Sequence, residues 1–175
     1  MRLFAPALIV TVVSLSTGFA LMPEPVVTEA VVNGPPETVW KAWTTKAGLE
    51  AWLVGKTEID LTIGGAWRTN YRKDANLSDD STIHHTILAF DPNRMLAFKT
   101  SKTPANFPFP EITQTWTVIY FEPTSAGGTR VVAHMNGFQE TEQSLKMRAF
   151  FEKGNQSEMN KLVQFFANGV PAVLR

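Results

Sequence analysis

Cysteine is absent from this chain, which excludes disulfides, thiolate nucleophiles and thiolate metal sites. An excess of either charge is also missing. Sixteen Lys and Arg balance sixteen Asp and Glu, and so neutral and interspersed a pattern supplies no basic footprint for nucleic acid or an anionic membrane. Histidine is scarce, with three copies, and a zinc site needs three or four convergent ligands. No metal site is expected. Serine never stands in a Gly-x-Ser-x-Gly elbow, and no Walker or dinucleotide glycine pattern occurs. No cofactor is expected either.

What is present begins with an apolar segment. Arg2 is a minimal positive start, residues 5–15 are almost wholly apolar, and Gly18-Phe19-Ala20 puts small residues where a signal peptidase reads. The pattern predicts a cleaved signal over 1–20, and a periplasmic or secreted protein formed by one domain over 21–175. The segment is short for a bilayer span, so no stable span is expected in the mature chain.

At the other end, Met147, Phe150, Phe151, Met159, Leu162, Val163 and Phe166 recur at spacings of three and four. They predict a long amphipathic helix over 140–168. A stripe of that length needs a large partner surface, and the alternating segments between 24 and 138 can supply it. A first strand is read over 26–32, and two short helices follow, one with Val39, Trp40 and Trp43 on its face and one over 46–53, with Thr44 and Thr45 between them. The first is opened by Pro36 and Glu37. Ile59, Leu61 and Ile63 then alternate with polar residues up to Gly64-Gly65, which supplies a hairpin turn. Trp67, Thr69 and Tyr71 share one face of the next strand. Further strands are read over 82–90, 95–100, 112–121 and 129–138.

The fold expected is α+β: a seven-stranded curved antiparallel sheet around a long C-terminal helix. Successive turns alternate between the two ends of such a sheet. Those at 64, 92 and 127 gather at one end, and the looser segments 73–81, 101–111 and 136–138 at the other, where the mouth of any cavity is expected.

Several stretches carry a family resemblance: PPETVWKAWTT with GLEAWL, EIDLTIGGAW, ILAFDPNRMLAF and GGTRVVAHMNGF. In order and spacing they resemble the helix-grip folds of the SRPBCC, or START-like, superfamily, and within it the branch of the activators of heat-shock-protein ATPase. The resemblance spans about residues 24–168 and implies a helix-grip fold with a space between sheet and helix. Met135 stands where many members have histidine, and Asn155 where tryptophan is usual.

The residues expected to face that space are Trp67, Tyr71, His84, Phe98, Phe107, Phe109, Met135, Phe138 and Phe151. His84 and His85 are strand neighbours and point to opposite faces; parity with Leu88 and Phe90 puts His84 inward, although a bulge would reverse this. His134 is expected to face solvent. For proton transfer the candidates are Tyr71, His84 and Asp60, with Glu111 a further group, because a buried carboxyl, imidazole or phenol acquires a shifted pKa. Each also has a structural role open to it, Asp60 near the glycine turn and Tyr71 as a core aromatic. Whether Trp116 or its neighbours Thr115 and Thr117 face inward is open.

Three functions follow. The first is binding of a small hydrophobic molecule, a lipid or aromatic metabolite. The second is a cyclase, aromatase or hydrolase-like enzyme using an inward Tyr, His or carboxyl. The third is a chaperone-activator-like interaction module with a closed interior and an apolar outer patch; a homodimer is a further expectation.

Overall fold

A computed structural model describes residues 23–174, so the signal expected over 1–20 lies outside the described residues. Seven strands form one antiparallel sheet: β1 (Val26–Val32), β2 (Lys56–Ile59), β3 (Ala66–Asn70), β4 (Ile83–Asp91), β5 (Met95–Lys102), β6 (Trp116–Pro123) and β7 (Thr129–Asn136). Their spatial order is β1-β7-β6-β5-β4-β3-β2. Two short helices, α1 (Pro36–Thr44) and α2 (Lys46–Trp52), follow β1, and the long helix α3 (Glu142–Ala167) follows β7. This is the expected helix-grip α+β fold.

The local chemistry accounts for the element ends. Pro36 occupies the first turn of α1, where its missing N–H costs nothing, and Glu37 in the same turn pairs with Lys41 at 2.9 Å. Thr45 ends α1 and caps α2, its hydroxyl accepting from the Gly48 N–H at 3.0 Å. Thr141 does the same for α3, accepting from the Ser144 N–H at 3.2 Å. Gly137 turns the chain from β7 toward α3 at φ +89°, and a Cβ there would sit 2.7 Å from the Gln114 carbonyl oxygen. Only glycine meets both demands.

Three predicted boundaries are corrected. The strand read to Ile63 stops at Ile59, and Ile63 is exposed, because residues 62–65 form the turn between β2 and β3, the Gly65 N–H donating to the Thr62 carbonyl at 2.9 Å, while Gly64 and Gly65 exchange backbone bonds with Ile87 on β4. The strand read from Ile112 starts at Trp116. Pro110 starts a short 3-10 helix, Pro110–Gln114, which the Thr115 hydroxyl closes by donating to the Ile112 carbonyl at 2.7 Å. Strand β7 ends at Asn136, just before the Gly137 turn.

The core falls into two parts. One gathers Trp40, Trp43, Leu49, Ile87, Leu96, Ile119 and Val131 beneath Met159, Leu162 and Phe166 of α3. The other, smaller, joins Val26, Ile112, Met135 and Phe138 to Met147 near the start of α3. The predicted α3 stripe is therefore corrected at Phe150 and Val163, which are exposed. Between the two cores α3 reads Glu152-Lys153-Gly154-Asn155-Gln156-Ser157-Glu158, seven residues with no large apolar side chain.

Leu162 is fully buried and Thr141 is exposed. Leu162→Ala is expected to cost about 2–5 kcal/mol, and Thr141→Ala about 1 kcal/mol, in urea unfolding followed by circular dichroism. A Leu162→Ala cost no larger than that of the cap would show that the end of α3 does not carry the main core.

Candidate functional site: a cavity between sheet and helix

Where α3 lacks large apolar side chains, a cavity of about 410 Å³ opens between the helix and the sheet. Its size is that of small-molecule sites, about 300–1,000 Å³. The walls are mostly apolar: Trp67 and Phe98 on the sheet, Ile119, Ala133 and Met135 across from them, Leu53 and Val54 from the end of α2, Phe151 and Met159 from α3. Phe107, Trp116 and Phe150 stand at its edge, with Thr103 and Ile112 from the same loop end. This is the loose end where the turn arithmetic predicts a mouth.

Of the nine residues expected to face the space, the structure places six on the cavity wall: Trp67, Tyr71, Phe98, Phe107, Met135 and Phe151. Phe109 packs outside it against Phe107 and Phe150, at centroid distances of 6.0 and 5.3 Å. Phe138 is buried in the smaller core with Arg148 over its ring at 5.7 Å. The inward residues of β6 are Thr117, Ile119 and Phe121, and Trp116 is part-exposed at the edge.

The placement of His84 is a correction. It lies on the outer face between Arg68 and Lys102, its strand partners, and partial burial, with the charges of Lys102 and Arg68 adding to it, lowers its pKa. His85 is the inward histidine. The register of β4 against β5 slips between Ile87 and Ala89, leaving Leu88 as an extra residue, so parity read back from Phe90 picks the wrong neighbour. Ile87, fully buried, and His85 share the inner face.

His85 is held by rings and hydroxyls. Trp67 and Phe98 flank it at centroid distances of 4.8 and 5.4 Å. Its Nδ1 lies 3.2 Å from the Thr100 hydroxyl and its Nε2 3.5 Å from that of Thr69. Burial in this aromatic setting pushes its pKa from 6.5 down to about 3, with the charge of His84 adding to the effect. The imidazole is neutral at physiological pH.

A second polar pair crosses from sheet to helix. The Tyr71 hydroxyl donates to Glu158 Oε1 at 3.0 Å. Tyr71 exposes the side of its ring, while its hydroxyl is drawn against α3. Burial raises the phenol above its ordinary pKa, and the neighbouring Glu158 adds to this. Burial also raises the Glu158 carboxyl, against the opposing pulls of the Tyr71 hydroxyl and Lys161. Sequence reasoning missed both His85 and Glu158. The signal for Glu158 was the interrupted stripe over 152–158.

Of the other acid–base candidates, Asp60 is exposed and accepts from the Thr62 hydroxyl at 3.1 Å, and Glu111 sits on the 3-10 helix away from the cavity wall. His134 packs edge-on against exposed Tyr120 at 5.7 Å, on the outer face. Met135 and Asn155, the two departures from the family pattern, meet here, with the Asn155 amide 3.9 Å from the Met135 sulfur. An indole at 155 would occupy space that this cavity leaves open. Among the described residues no three His, Asp or Glu side chains gather to hold a metal ion.

A curved sheet gripping a helix over an apolar cavity defines a helix-grip protein of the SRPBCC superfamily. The chain belongs to the family described as activator of Hsp90 ATPase homolog 1-like protein, whose sequence profile matches residues 33–167. Solved structures agree on the fold. Protein MLL2253 from Mesorhizobium loti is 20% identical with a TM-score of 0.66, over 84% of this chain and 99% of that one. The Aha1 dimer from Colwellia psychrerythraea is 15% identical with a TM-score of 0.62, over 81% and 95%. CalU16 from Micromonospora echinospora is 18% identical with a TM-score of 0.58, over 80% and 74%. Among curated proteins no sequence matches.

His85 sets a testable pH dependence. Its folded pKa lies below the unfolded value, so its contribution to stability is full above pH 6.5 and is lost as pH falls toward about 3. Glu158, with a raised pKa, acts in the opposite sense: the stability its retained proton contributes is lost as pH rises above 4.5. The His85 effect is therefore read as a difference. Between pH 7 and 5 the wild type should lose about 1–2 kcal/mol more than His85→Phe in urea unfolding. By NMR the His85 ring should keep neutral shifts down to pH 4.5. A protonated ring at pH 6 would contradict its burial.

Proposed function

We propose that this protein binds a small hydrophobic molecule, a lipid or an aromatic metabolite, between the sheet and α3. One observation carries the reading: a cavity of about 410 Å³ with mainly aromatic and aliphatic walls, open at the loop end. Apolar walls reward a ligand for leaving water. Polar groups on the wall, the Thr117 hydroxyl, the Asn155 amide and the Tyr71–Glu158 pair among them, can orient it.

A periplasmic or secreted location belongs to this reading and is supported by the signal-like pattern of residues 1–20. No helix among the described residues is long and apolar enough to cross a membrane.

Proton transfer is the second reading, favoured by the Tyr71–Glu158 pair on the wall of an open cavity. It predicts that a bound substrate leaves chemically altered. If mass spectrometry recovers every bound ligand unchanged after long incubation, the role is binding alone.

A protein-interaction role draws less support, because it requires a closed interior. The outer face does expose Val27, Val31 and Tyr120. It also carries Arg130 paired with Glu29 and Glu122. A second copy as partner is supported by the dimer solved for the Colwellia Aha1 protein, and light scattering tests it.

Native mass spectrometry of gently purified protein should show a retained small molecule or uptake from a panel of neutral lipids and aromatics. Thr117→Phe and Ala133→Leu each push side-chain volume into the cavity and should weaken uptake at least about tenfold, on the scale where 1.4 kcal/mol is tenfold. Unchanged uptake by both folded variants would place the ligand elsewhere, and a clean apo mass with no uptake would end the reading.

A further inference from the structure

Most polar side chains on the cavity wall are committed to partners. Thr69 and Thr100 turn their hydroxyls to the His85 ring, Thr115 donates to the Ile112 carbonyl at 2.7 Å, and Tyr71 donates to Glu158. Thr117 and Asn155 differ. The Thr117 hydroxyl and the Asn155 carboxamide oxygen have no hydrogen-bond partner among the described residues, yet neither is sealed from water. The unpartnered atoms that are sealed lie elsewhere, on Thr28, Trp43 and Glu111.

Register and helix period bring these two groups together. Thr117 pairs with Phe98 of β5 on one side and with Met135 of β7 on the other, so the three side chains form one row on the inner face of the sheet. All three line the cavity, and the Thr117 hydroxyl opens onto it. Asn155 lies across from this row, on the α3 face it shares with Phe151 and Glu158 at spacings of four and three. Its amide reaches over the gap to 3.9 Å from the sulfur of buried Met135. Sulfur is a weak acceptor, so the amide nitrogen takes that side and the carbonyl oxygen is left as an acceptor on the wall. Met135 therefore stands beside two open polar groups, one that only accepts and one that both donates and accepts.

We propose that Thr117 and Asn155 form a subsite for a ligand hydroxyl: the cavity takes an apolar ring compound carrying an alcohol or phenol group. The ligand O–H donates to the Asn155 carbonyl oxygen, and the ligand oxygen accepts from the Thr117 hydroxyl. The inference rests on the binding reading above and names the chemistry of its ligand. A hydroxyl meets both groups at once. An ether leaves the Asn155 oxygen unmet and a hydrocarbon leaves both unmet, each a loss in an apolar site.

The test sets three probes of matched shape against the full chain, each displacing the dye N-phenyl-1-naphthylamine. They are 2-naphthalenemethanol, which donates and accepts, 2-methoxynaphthalene, which only accepts, and 2-ethylnaphthalene, which does neither. Thr117→Val and Asn155→Leu keep the side chain's shape and remove its hydrogen-bonding group. Each should weaken the alcohol about threefold to tenfold, the worth of one net hydrogen bond, and leave 2-ethylnaphthalene within about twofold. Asn155→Leu should also leave 2-methoxynaphthalene within about twofold. In the wild type, nuclear Overhauser contacts should place the alcohol's CH2 against the Thr117 methyl and the Asn155 side-chain amide, a readout that decides even where a variant does not fold. Unchanged alcohol affinity in either folded variant, equal weakening of all three probes, or a CH2OH group found at the Phe107 edge overturns the proposal. If neither the dye nor any probe binds the wild type, the binding reading itself fails, an outcome distinct from binding without this subsite.

Discussion

The structure depends on α3 being packed at both ends and unpacked in the middle. Met159, Leu162 and Phe166 seat its second half in the main core, and Met147 seats its first half in the smaller one. Between them the helix turns Gly154, Asn155 and Glu158 toward the sheet. The sheet curves at fixed spacing, so small or polar residues there cannot reach across it. The cavity follows from that mismatch, with two apolar anchors holding the helix over a gap that neither core can collapse into.

The polar groups around the gap follow from the same geometry. His85 has Trp67 and Phe98 against its faces and edges, and two threonine hydroxyls for its nitrogens. That environment keeps it neutral and makes it a fixed part of the wall. The Tyr71–Glu158 bond ties the residue just past β3 to α3. Among the described residues the Trp43 indole N–H and the Thr28 hydroxyl have no hydrogen-bond partner, a cost in an apolar setting.

Much of the fold was legible because its signals are local and repeated. Period-two alternation marked the strands, Pro36 and Thr45 marked the starts of α1 and α2, and the three-and-four spacing marked α3. The errors came where one residue decides a face. Leu88 adds a residue to β4, and parity counted from Phe90 then assigns His84 instead of His85 to the interior. Phe109 and Phe138 are aromatic and near the mouth in the chain, yet packing takes one against its loop neighbours and the other into a core. Glu158 escaped notice because a polar residue on a helix reads as solvent-facing unless its stripe is known to face a hollow.

The sequence by itself determined the order of elements, the antiparallel sheet with its long closing helix and the absence of thiol chemistry, since these depend on periodicity and composition carried within short windows. Only the tertiary structure decided that the grip is hollow and which histidine looks into it. It also decided that Tyr71 meets Glu158. Those facts arise from contacts between residues far apart in the chain, where a one-residue bulge or a single unfilled layer changes the outcome and leaves no periodic trace.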